Sequence, residues 1–395
     1  MSDTGSSVPA PPAKNGGRRR MTAVLVSVAV SAAVLVGILT AVAAHFAKGY
    51  FLFSPGTAPV ITTSTGCKAS GGELALPTGQ PCVHLVVPPA KVHRVKGKLL
   101  MVDVEVSTPG PLEWAEYELG VLGEHRQFVP VAAYTGVTPS SELACQDTQQ
   151  MVSADQDAAL AALRHLRYHV SEVPMGAEVT GVVEGAPAWD AGIHCNDLIT
   201  AVNGEKVKDA AQFSDRVAPV RAGEVVTLAD RPAGGGKLRQ VEVRLAKTPP
   251  DRVAQGFPSR SYLGIQVGTR VQPELPFEVS VQAGDIGGPS AGLAFTLAIL
   301  DTLSNGSLTG GHVVAATGTI SPDGAVGEVG GVREKTVAVK RAGAQVFFVP
   351  AAEYQDAEVA AGPHLRVVPV STLRQVLGIL HRDYEGNVAD IRLGS

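Results

Sequence analysis

Residues 284–292, Gly284-Asp285-Ile286-Gly287-Gly288-Pro289-Ser290-Ala291-Gly292, lead directly into the apolar run Leu293-Ala294-Phe295-Thr296-Leu297-Ala298-Ile299-Leu300. This run is typical of a buried helix, so the sequence places Ser290 at the N-terminus of that helix. Backbone N–H groups without intrahelical partners and the positive end of the helix dipole lie at such a position. A tetrahedral oxyanion needs such donors, and we expect the N–H groups of Ser290 and Ala291 to provide them.

A second segment, Gly330-Gly331-Val332-Arg333-Glu334-Lys335, begins another predicted helix, which Gly343 ends. One side of this helix is apolar and the other is charged; the apolar side carries Val332, Thr336, Val339 and Ala342, and the charged side carries Arg333, Lys340 and Arg341. Lys335 falls on the apolar side, where burial would destabilise its ammonium form and lower its pKa. Ser290 and Lys335 could therefore act as nucleophile and general base without a histidine.

Each of these residues also has an ordinary structural interpretation. A serine in front of an apolar helix is most often only an N-cap. A lysine on a buried face most often extends along that face until its ammonium group reaches water. The pair favours catalysis more than either residue alone, because a nucleophile and a base are required together.

Three separated motifs resemble the proteolytic domain of Lon-type serine proteases: Gly288-Pro289-Ser290-Ala291-Gly292, Thr317-Gly318, and the segment that ends at Lys335. The resemblance covers residues 255–382 and implies an α/β proteolytic domain with a Ser-Lys dyad, Ser290 being the nucleophile and Lys335 the general base. It also implies that Thr317 lies near the dyad, and that copies of the chain form a homo-oligomer, since Lon proteases assemble into rings. The chain departs from the family at Gly287, where many Lon proteases carry an aspartate.

Residues 167–247 carry the pattern of a small β-barrel with helices. Strand-like residues 176–183 precede a short turn and helix over 185–192, a second strand over 197–202, an Asn203-Gly204 turn and a helix near 209–219. This order resembles a bacterial PDZ domain, whose members bind peptides by strand addition. The resemblance implies that the 209–219 helix and the first strand hold a peptide, the strand residues being Pro174, Met175, Gly176, Ala177, Glu178 and Val179. A barrel that only packs against the protease is the alternative.

Residues 21–44 contain no charged side chain, and this length is sufficient for a helix that crosses a bilayer. Residues 1–20 form a tail that ends in Arg18-Arg19-Arg20, and this positive flank, with Lys14, predicts a cytoplasmic N-terminus. We therefore expect a single-pass cell-membrane protein with residues 51–395 outside the cytoplasm. A signal peptide cleaved near Ala41-Val42-Ala43 is the alternative, and it leads to the same external location.

The four cysteines, Cys67, Cys82, Cys145 and Cys195, fit an oxidising compartment. Cys67 and Cys82 share a short polar loop and form the simplest pair, whereas Cys145 and Cys195 either pair or stay free. The cysteines have neither C-x-x-C spacing nor neighbouring histidines, so no metal site is predicted. A net charge of −4 and an aromatic content of 5% argue against nucleic acid as a partner.

Residues 50–166 are predicted to be an extracytoplasmic spacer that packs on the later domains, with a strand-like run over 99–106 and a helix over 142–166. The spacer shows no catalytic constellation. The sequence contains no G-x-x-x-x-G-K-[ST] motif, so we expect no built-in ATPase and no cofactor.

The sequence therefore predicts an α+β multidomain protein with a transmembrane helix, a PDZ-like domain and a Lon-like proteolytic domain. Its expected function is ATP-independent serine endopeptidase activity on extracytoplasmic or membrane-associated proteins that the PDZ domain captures. A non-catalytic membrane-anchored PDZ adaptor for exported proteins is the alternative. A trypsin-type triad is disfavoured, because His312, His364 and His381 are the histidines of the protease segment and none lies in a matching motif.

Overall fold

The computed structural model describes residues 34, 36–38, 40–42, 44–70, 73–88, 92, 96–121, 123, 125–131, 140–233, 236–254, 261–283, 286, 288–304 and 307–388. The predicted cytoplasmic tail, residues 1–20, lies outside these residues, as does most of the predicted membrane span, residues 21–44. The span residues that are described, from residue 34 onward, are helical. Within the described part of the chain, no helix has both the length and the apolar character needed to cross a bilayer.

The strands, in chain order, are β1 (Tyr50–Pro55), β2 (Val60–Thr62), β3 (Lys68–Ser70), β4 (Glu73–Ala75), β5 (Cys82–Val86), β6 (Lys98–Leu100), β7 (Val104–Ser107), β8 (Gln127–Pro130), β9 (Ser171–Val182), β10 (Leu198–Val202), β11 (Glu205–Lys206), β12 (Val225–Arg231), β13 (Arg239–Arg244), β14 (Ala246–Lys247), β15 (Ser261–Tyr262), β16 (Ile265–Glu274), β17 (Ser280–Gln282), β18 (Val313–Ala316), β19 (Thr319–Ile320), β20 (Val326–Gly327), β21 (Val346–Pro350) and β22 (Arg366–Val370).

The helices are α1 (Pro111–Glu118), α2 (Ser140–His165), α3 (Pro187–Asp190), α4 (Ala210–Val217), α5 (Pro250–Ala254), α6 (Gly292–Leu303), α7 (Val332–Arg341), α8 (Tyr354–Ala361) and α9 (Leu373–Tyr384). Two short 3₁₀ turns, Pro289–Ala291 and Ala351–Glu353, precede α6 and α8.

A seven-stranded sheet forms the centre of the protease domain, in the order β17-β5-β2-β6-β18-β21-β22. Strands β6, β18, β21 and β22 are parallel neighbours, and β21 is buried along its whole length, as expected for a strand covered on both faces. Its side chains alternate between the two layers that cover the sheet. Val346 and Phe348 join the core formed with α2, α6 and α9, whereas Phe347 and Val349 join the core formed with α7 and α8.

The predicted spacer, residues 50–166, is an integral part of this domain, and its assignment as a spacer was wrong. It supplies β2, β5 and β6 to the central sheet, and its helix α2 places Ala158, Ala162 and Leu163 in the main core. The strands are three to five residues long and separated by Pro- and Gly-containing loops, so they show too little periodicity to be recognised from sequence. The predicted Cys67–Cys82 disulfide is confirmed.

The PDZ segment is inserted into the protease domain between α2 and β17. Its sheet runs in the order β13-β12-β10-β9-β16, with β11 beside β10. The prediction assigned residues 167–247 to this segment and residues from 255 onward to the protease, but β16 belongs to the PDZ sheet. Ser171 and Glu274, the first residue of β9 and the last of β16, are paired, so the insertion begins and ends at adjacent points.

A third, smaller unit is the antiparallel sheet β7-β1-β8 with α1. Trp114 of α1 contacts the rings of Phe46, Tyr50 and Phe128, with ring centroids 5.2–6.4 Å away. The unit also packs against α7 through β1, so it connects the N-terminal helical residues with the catalytic half of the protein.

We predict that replacing residues 172–273 with a short Gly-Ser linker leaves a cooperatively folded protease domain. The linker would join Ser171 to Glu274, which are paired in an antiparallel sheet, so their Cα atoms are only about 5 Å apart. Thermal unfolding followed by circular dichroism should show one transition. The matched comparison is the fragment 255–395, which lacks β2, β5, β6 and α2 and should show no cooperative transition. Cooperative unfolding of that fragment would contradict the conclusion that β2, β5 and β6 are an integral part of the central sheet.

Candidate active site

Ser290 lies in the sharp turn that leads into the buried helix α6. Gly288 has φ of +89°, and the 3₁₀ turn Pro289–Ala291 then continues into the helix at Gly292. Gly292 fits where other residues do not, because a Cβ atom there would lie 2.9 Å from Ile320 Cγ2 and 3.1 Å from its backbone nitrogen. The helix N-terminus predicted for Ser290 is therefore confirmed. Residues 284, 285 and 287 lie outside the described part of this turn.

The backbone carbonyl of Ser290 is held by the end of strand β18. Gly318 N donates to it at 2.8 Å, and Thr317 Oγ1 donates to it at 3.1 Å. The Thr317 N–H donates in turn to Phe348 O of the neighbouring strand β21, at 3.0 Å. The central sheet thus fixes the nucleophile turn, and Thr317 lies beside Ser290, as the resemblance implied.

Lys335 is enclosed within the protein on the buried side of α7. It is 2% exposed, and its neighbours Val332, Thr336 and Val339 are buried with it, whereas Ala342 of the predicted apolar side is exposed. Its Nζ donates to Thr317 Oγ1 at 3.5 Å. Gly331, at φ +67°, allows the helix to begin against Val104, whose Cγ2 would lie 3.1 Å from a Cβ atom at that position.

Burial lowers the pKa of Lys335 to about 8, since the ammonium form loses its hydration. Three carboxylates, those of Asp103, Glu353 and Glu334, act against this effect by favouring the charged form. Desolvation is the stronger influence, so the neutral amine is accessible near neutral pH. A lysine with this property can accept a proton, as the sequence analysis predicted.

Ser290 and Lys335 line one cavity of about 450 Å³, together with Ala291. Residues that follow β1 and β6 also line this cavity, among them Gly56, Thr57 and Asp103. Thr317 Oγ1 contacts both members of the pair, because it accepts from Lys335 and donates to the Ser290 carbonyl. The structure therefore brings the predicted nucleophile, base and accessory threonine together.

Asp103 is a residue of this cavity that the sequence analysis missed. Its side chain accepts hydrogen bonds from both the N–H and the hydroxyl of Thr57, the latter at 2.9 Å, and this pairing fixes its carboxylate. Asp103 also exerts the largest of the charge effects on Lys335. The signal in the sequence was a lone carboxylate after the apolar run Leu99-Leu100-Met101-Val102, in a segment interpreted as a spacer.

The predicted peptide-binding strand of the PDZ segment, Pro174 to Val179, is not open to a ligand. On one side β9 pairs with β16, and on the other its residues Ala177 and Glu178 pair with β10. Strand β9 is therefore an inner strand of the sheet, so the predicted edge is wrong.

Among the described strands, β16 lies at one end of the PDZ sheet and β13 at the other. Helix α4 packs beside β16, and the Ala210 N–H donates to Thr269 Oγ1 at 3.1 Å. The strand begins after a bend at Gly264, which has φ of +80° and whose backbone oxygen accepts from the Val183 N–H. The helix predicted near 209–219 is thus present as α4, and the strand that it lies beside is β16 as well as β9. The signal in the sequence was Tyr262-Leu263-Gly264-Ile265 ahead of an alternating strand.

Comparison with protein families confirms both resemblances. Residues 178–229 match the PDZ domain family, and residues 274–382 match the Lon protease (S16) C-terminal proteolytic domain. The chain therefore contains a PDZ domain and a Lon-type proteolytic domain, which is a serine peptidase domain. The family boundary at residue 274 coincides with the end of β16.

Two curated relatives are Lon proteases. That of Malacoplasma penetrans is 36% identical over 121 residues, which are 30% of this chain and 15% of the relative. That of Koribacter versatilis is 29% identical over 205 residues, 45% of this chain and 24% of the relative. The chain thus spans less than a quarter of the length of each. Among solved structures, the PDZ domain of the SdrC-like protein from Listeria monocytogenes matches 24% of this chain and 87% of its own, at 24% identity and a TM-score of 0.20.

We predict that Thr317→Val reduces peptide hydrolysis on the order of 10²-fold, because it frees both the Lys335 amine and the Ser290 turn to shift. The free energy of unfolding should fall by only about 1 kcal/mol, the usual contribution of one hydrogen bond. Steady-state kinetics and urea unfolding measure the two effects. Thr317→Ser, which keeps the hydroxyl group, is the control and should retain most activity. Equal activity of the valine and serine variants would exclude a role for the hydroxyl group.

Proposed function

We propose that this protein is an ATP-independent, membrane-anchored serine endopeptidase that uses Ser290 and Lys335 as a catalytic dyad outside the cytoplasm. The observation that carries the proposal is the single cavity that Ser290 shares with a buried lysine of pKa about 8. A lysine kept only for structure would gain nothing from such an environment, since burial of its charged form costs free energy.

The proposed chemistry is acyl transfer to Ser290. The neutral Lys335 amine accepts the Ser290 Oγ proton while Oγ bonds to the carbonyl carbon of the substrate peptide. Backbone N–H groups at the start of α6, those of Ser290 and Ala291, stabilise the oxyanion. As the C–N bond breaks, the Lys335 ammonium returns its proton to the departing amine. Water, deprotonated by Lys335, then hydrolyses the acyl-enzyme and releases Ser290.

Several features of the sequence support a location outside the cytoplasm. The uncharged residues 21–44 follow a cationic flank, which favours retention of the N-terminus in the cytoplasm. The Cys67–Cys82 disulfide fits an oxidising compartment. The lack of a phosphate-binding motif in the sequence agrees with a compartment without ATP.

We assign substrate capture to the PDZ domain, at the groove between β16 and α4. A bound chain would add to the sheet as a sixth long strand, with β16 as its hydrogen-bonding neighbour. The groove belongs to an insertion in the protease domain, so a captured chain is held close to Ser290, and its effective concentration there rises.

We predict that Ser290→Ala and Lys335→Met each reduce cleavage of an unfolded protein by at least roughly 10³-fold, and that the double variant loses little more. The two side chains act in one step, so their effects are not additive. Steady-state cleavage by the fragment 50–395 is the measurement. Lys340→Met is the matched control, since Lys340 lies exposed on the same helix and should retain full activity. Substantial turnover by Lys335→Met at neutral pH would exclude the dyad.

We predict that kcat/KM rises with pH and is half-maximal near pH 8, because only the neutral form of Lys335 accepts the proton. Asp103→Asn removes a charge that favours the ammonium form, so the Lys335 pKa falls and the midpoint moves to lower pH. Glu105→Gln is the matched control: Glu105 lines the same cavity but is exposed, and water screens its charge. A midpoint that moves equally in both variants would contradict a specific effect of Asp103.

We predict that a bound peptide protects the backbone N–H groups of β16 from hydrogen exchange and leaves those of residues 174–179 unchanged. The first set lies in a strand at the end of the sheet, whereas the second lies in β9, an inner strand that pairs with β16 and, at Ala177 and Glu178, with β10. Exchange followed by mass spectrometry, with saturating peptide and with buffer alone, tests this. New protection confined to residues 174–179 would instead support peptide binding at the strand first predicted from the sequence.

A further inference from the structure

Exposed apolar side chains lie on and beside α1, which contacts the end of the N-terminal helical residues. This apolar patch consists of Leu112, Tyr117, Leu119 and Val121, on and directly after α1, and Phe46 at the end of the N-terminal helical residues. Leu112, Leu119 and Val121 are 78%, 76% and 65% exposed. Exposed apolar side chains gathered in this way mark an interaction surface.

The patch continues an apolar surface that comes from the proposed anchor. Val34, Val36, Ile38 and Val42, which are helical, are also exposed, and they follow the uncharged residues 21–33 in the chain. Phe46 stacks on Trp114 with ring centroids 6.4 Å apart, so the helical residues and α1 meet at one point. Tyr50, Trp114 and Tyr117 lie together there. Tryptophan and tyrosine in this arrangement are typical of the membrane–water interface.

The charges around the patch are compatible with this location. Two of the carboxylates on α1 form ion pairs with the Arg126 guanidinium. Glu113 Oε1 lies 3.7 Å from its Nη2, and Glu116 Oε2 lies 3.5 Å from its Nη1. Lys48 follows the last helical residue, where a lysine can extend toward lipid head groups. Glu118 is the remaining carboxylate on α1, and it is exposed to solvent.

The connection from this patch to the catalytic cavity is a rigid strand. Only Lys48 and Gly49 separate the helical residues from β1, and the Val131 N–H donates to Gly49 O at 2.8 Å. Strand β1 is paired on both sides, with β7 and β8. Its last residue, Pro55, already lines the cavity that contains Ser290. Six residues of strand span about 20 Å.

We propose that the patch of Phe46, Leu112, Tyr117, Leu119 and Val121 docks on the lipid bilayer, and that β1 holds the catalytic cavity no more than about 20 Å above it. The substrates are then membrane-anchored proteins, cut in the unfolded segment next to their own anchor. A bond roughly six to ten residues from the bilayer, in an extended chain, lies at the height of Ser290. This inference rests on the proposed function and names the substrate class of the same site.

The docking is tested with the two tryptophans of the chain, Trp114 and Trp189. Full-length protein is reconstituted in phosphatidylcholine vesicles that contain lipids with a quencher just below the head group. With Trp189→Phe, the remaining Trp114 fluorescence should be strongly quenched. With Trp114→Phe, the Trp189 fluorescence of the PDZ domain should be unaffected, which is the matched control. Unquenched Trp114 would overturn the proposal, as would crosslinking of Leu112→Cys to a second copy, because the patch would then be a contact between protein chains.

The substrate class is tested with membrane-anchored reporters in the same vesicles. One unstructured cleavable sequence is placed about 8 or about 40 residues from the reporter anchor, and the near site should be cut roughly ten-fold faster. Leu112→Glu with Leu119→Glu should abolish that preference and leave cleavage of the free peptide unchanged. Equal cutting of both reporters by the unsubstituted protein overturns this inference alone. The proposed function itself is overturned if the unsubstituted protein cuts the free peptide no faster than the Ser290→Ala variant does.

Discussion

The enclosure of the Lys335 side chain is the constraint on which the catalytic half of the molecule depends. A charged amine inside a protein is costly, and the structure offsets that cost with a hydrogen bond that Lys335 Nζ donates to Thr317 Oγ1 and with carboxylates that lie at a distance. The same enclosure keeps the proton affinity of the amine low enough for chemistry. The surrounding packing maintains this enclosure. The glycine that precedes α7, Gly331, lets the helix approach Val104. The residue after β18, Thr317, contacts both Ser290 and Lys335.

The catalytic pair could be predicted from the sequence because each member belongs to a short local motif. Ser290 is determined by glycines and a following apolar run, and Lys335 by its side of an amphipathic helix. Asp103 could not be predicted, since it reaches the cavity only through the packing of β6 and β7 against elements that lie about 200 residues later. No local pattern distinguishes a carboxylate of this kind from one that simply faces solvent.

The errors in the predicted organisation have a common physical origin. Strands β2, β5 and β6 are short and acquire their stability from neighbours that are distant in the chain, so their sequence resembles that of loops. The first two long PDZ strands, β9 and β10, are recognisable from the sequence, but which strand lies at the sheet edge depends on pairing. Strand β16 was assigned to the following domain because the chain passes through α5 and β15 before returning to pair with β9. Periodicity identifies strands, whereas only the folded chain decides their neighbours.

The position of β16 has a consequence for the connection between the two domains. Strand β16 ends at Glu274, the chain then forms β17 in the central sheet, and the turn that carries Ser290 follows within ten residues. Strand β17 pairs with β5, so this short stretch of backbone is anchored to the central sheet between the end of the PDZ strand and the nucleophile. The same sheet therefore positions both the C-terminal end of β16 and the turn that carries Ser290.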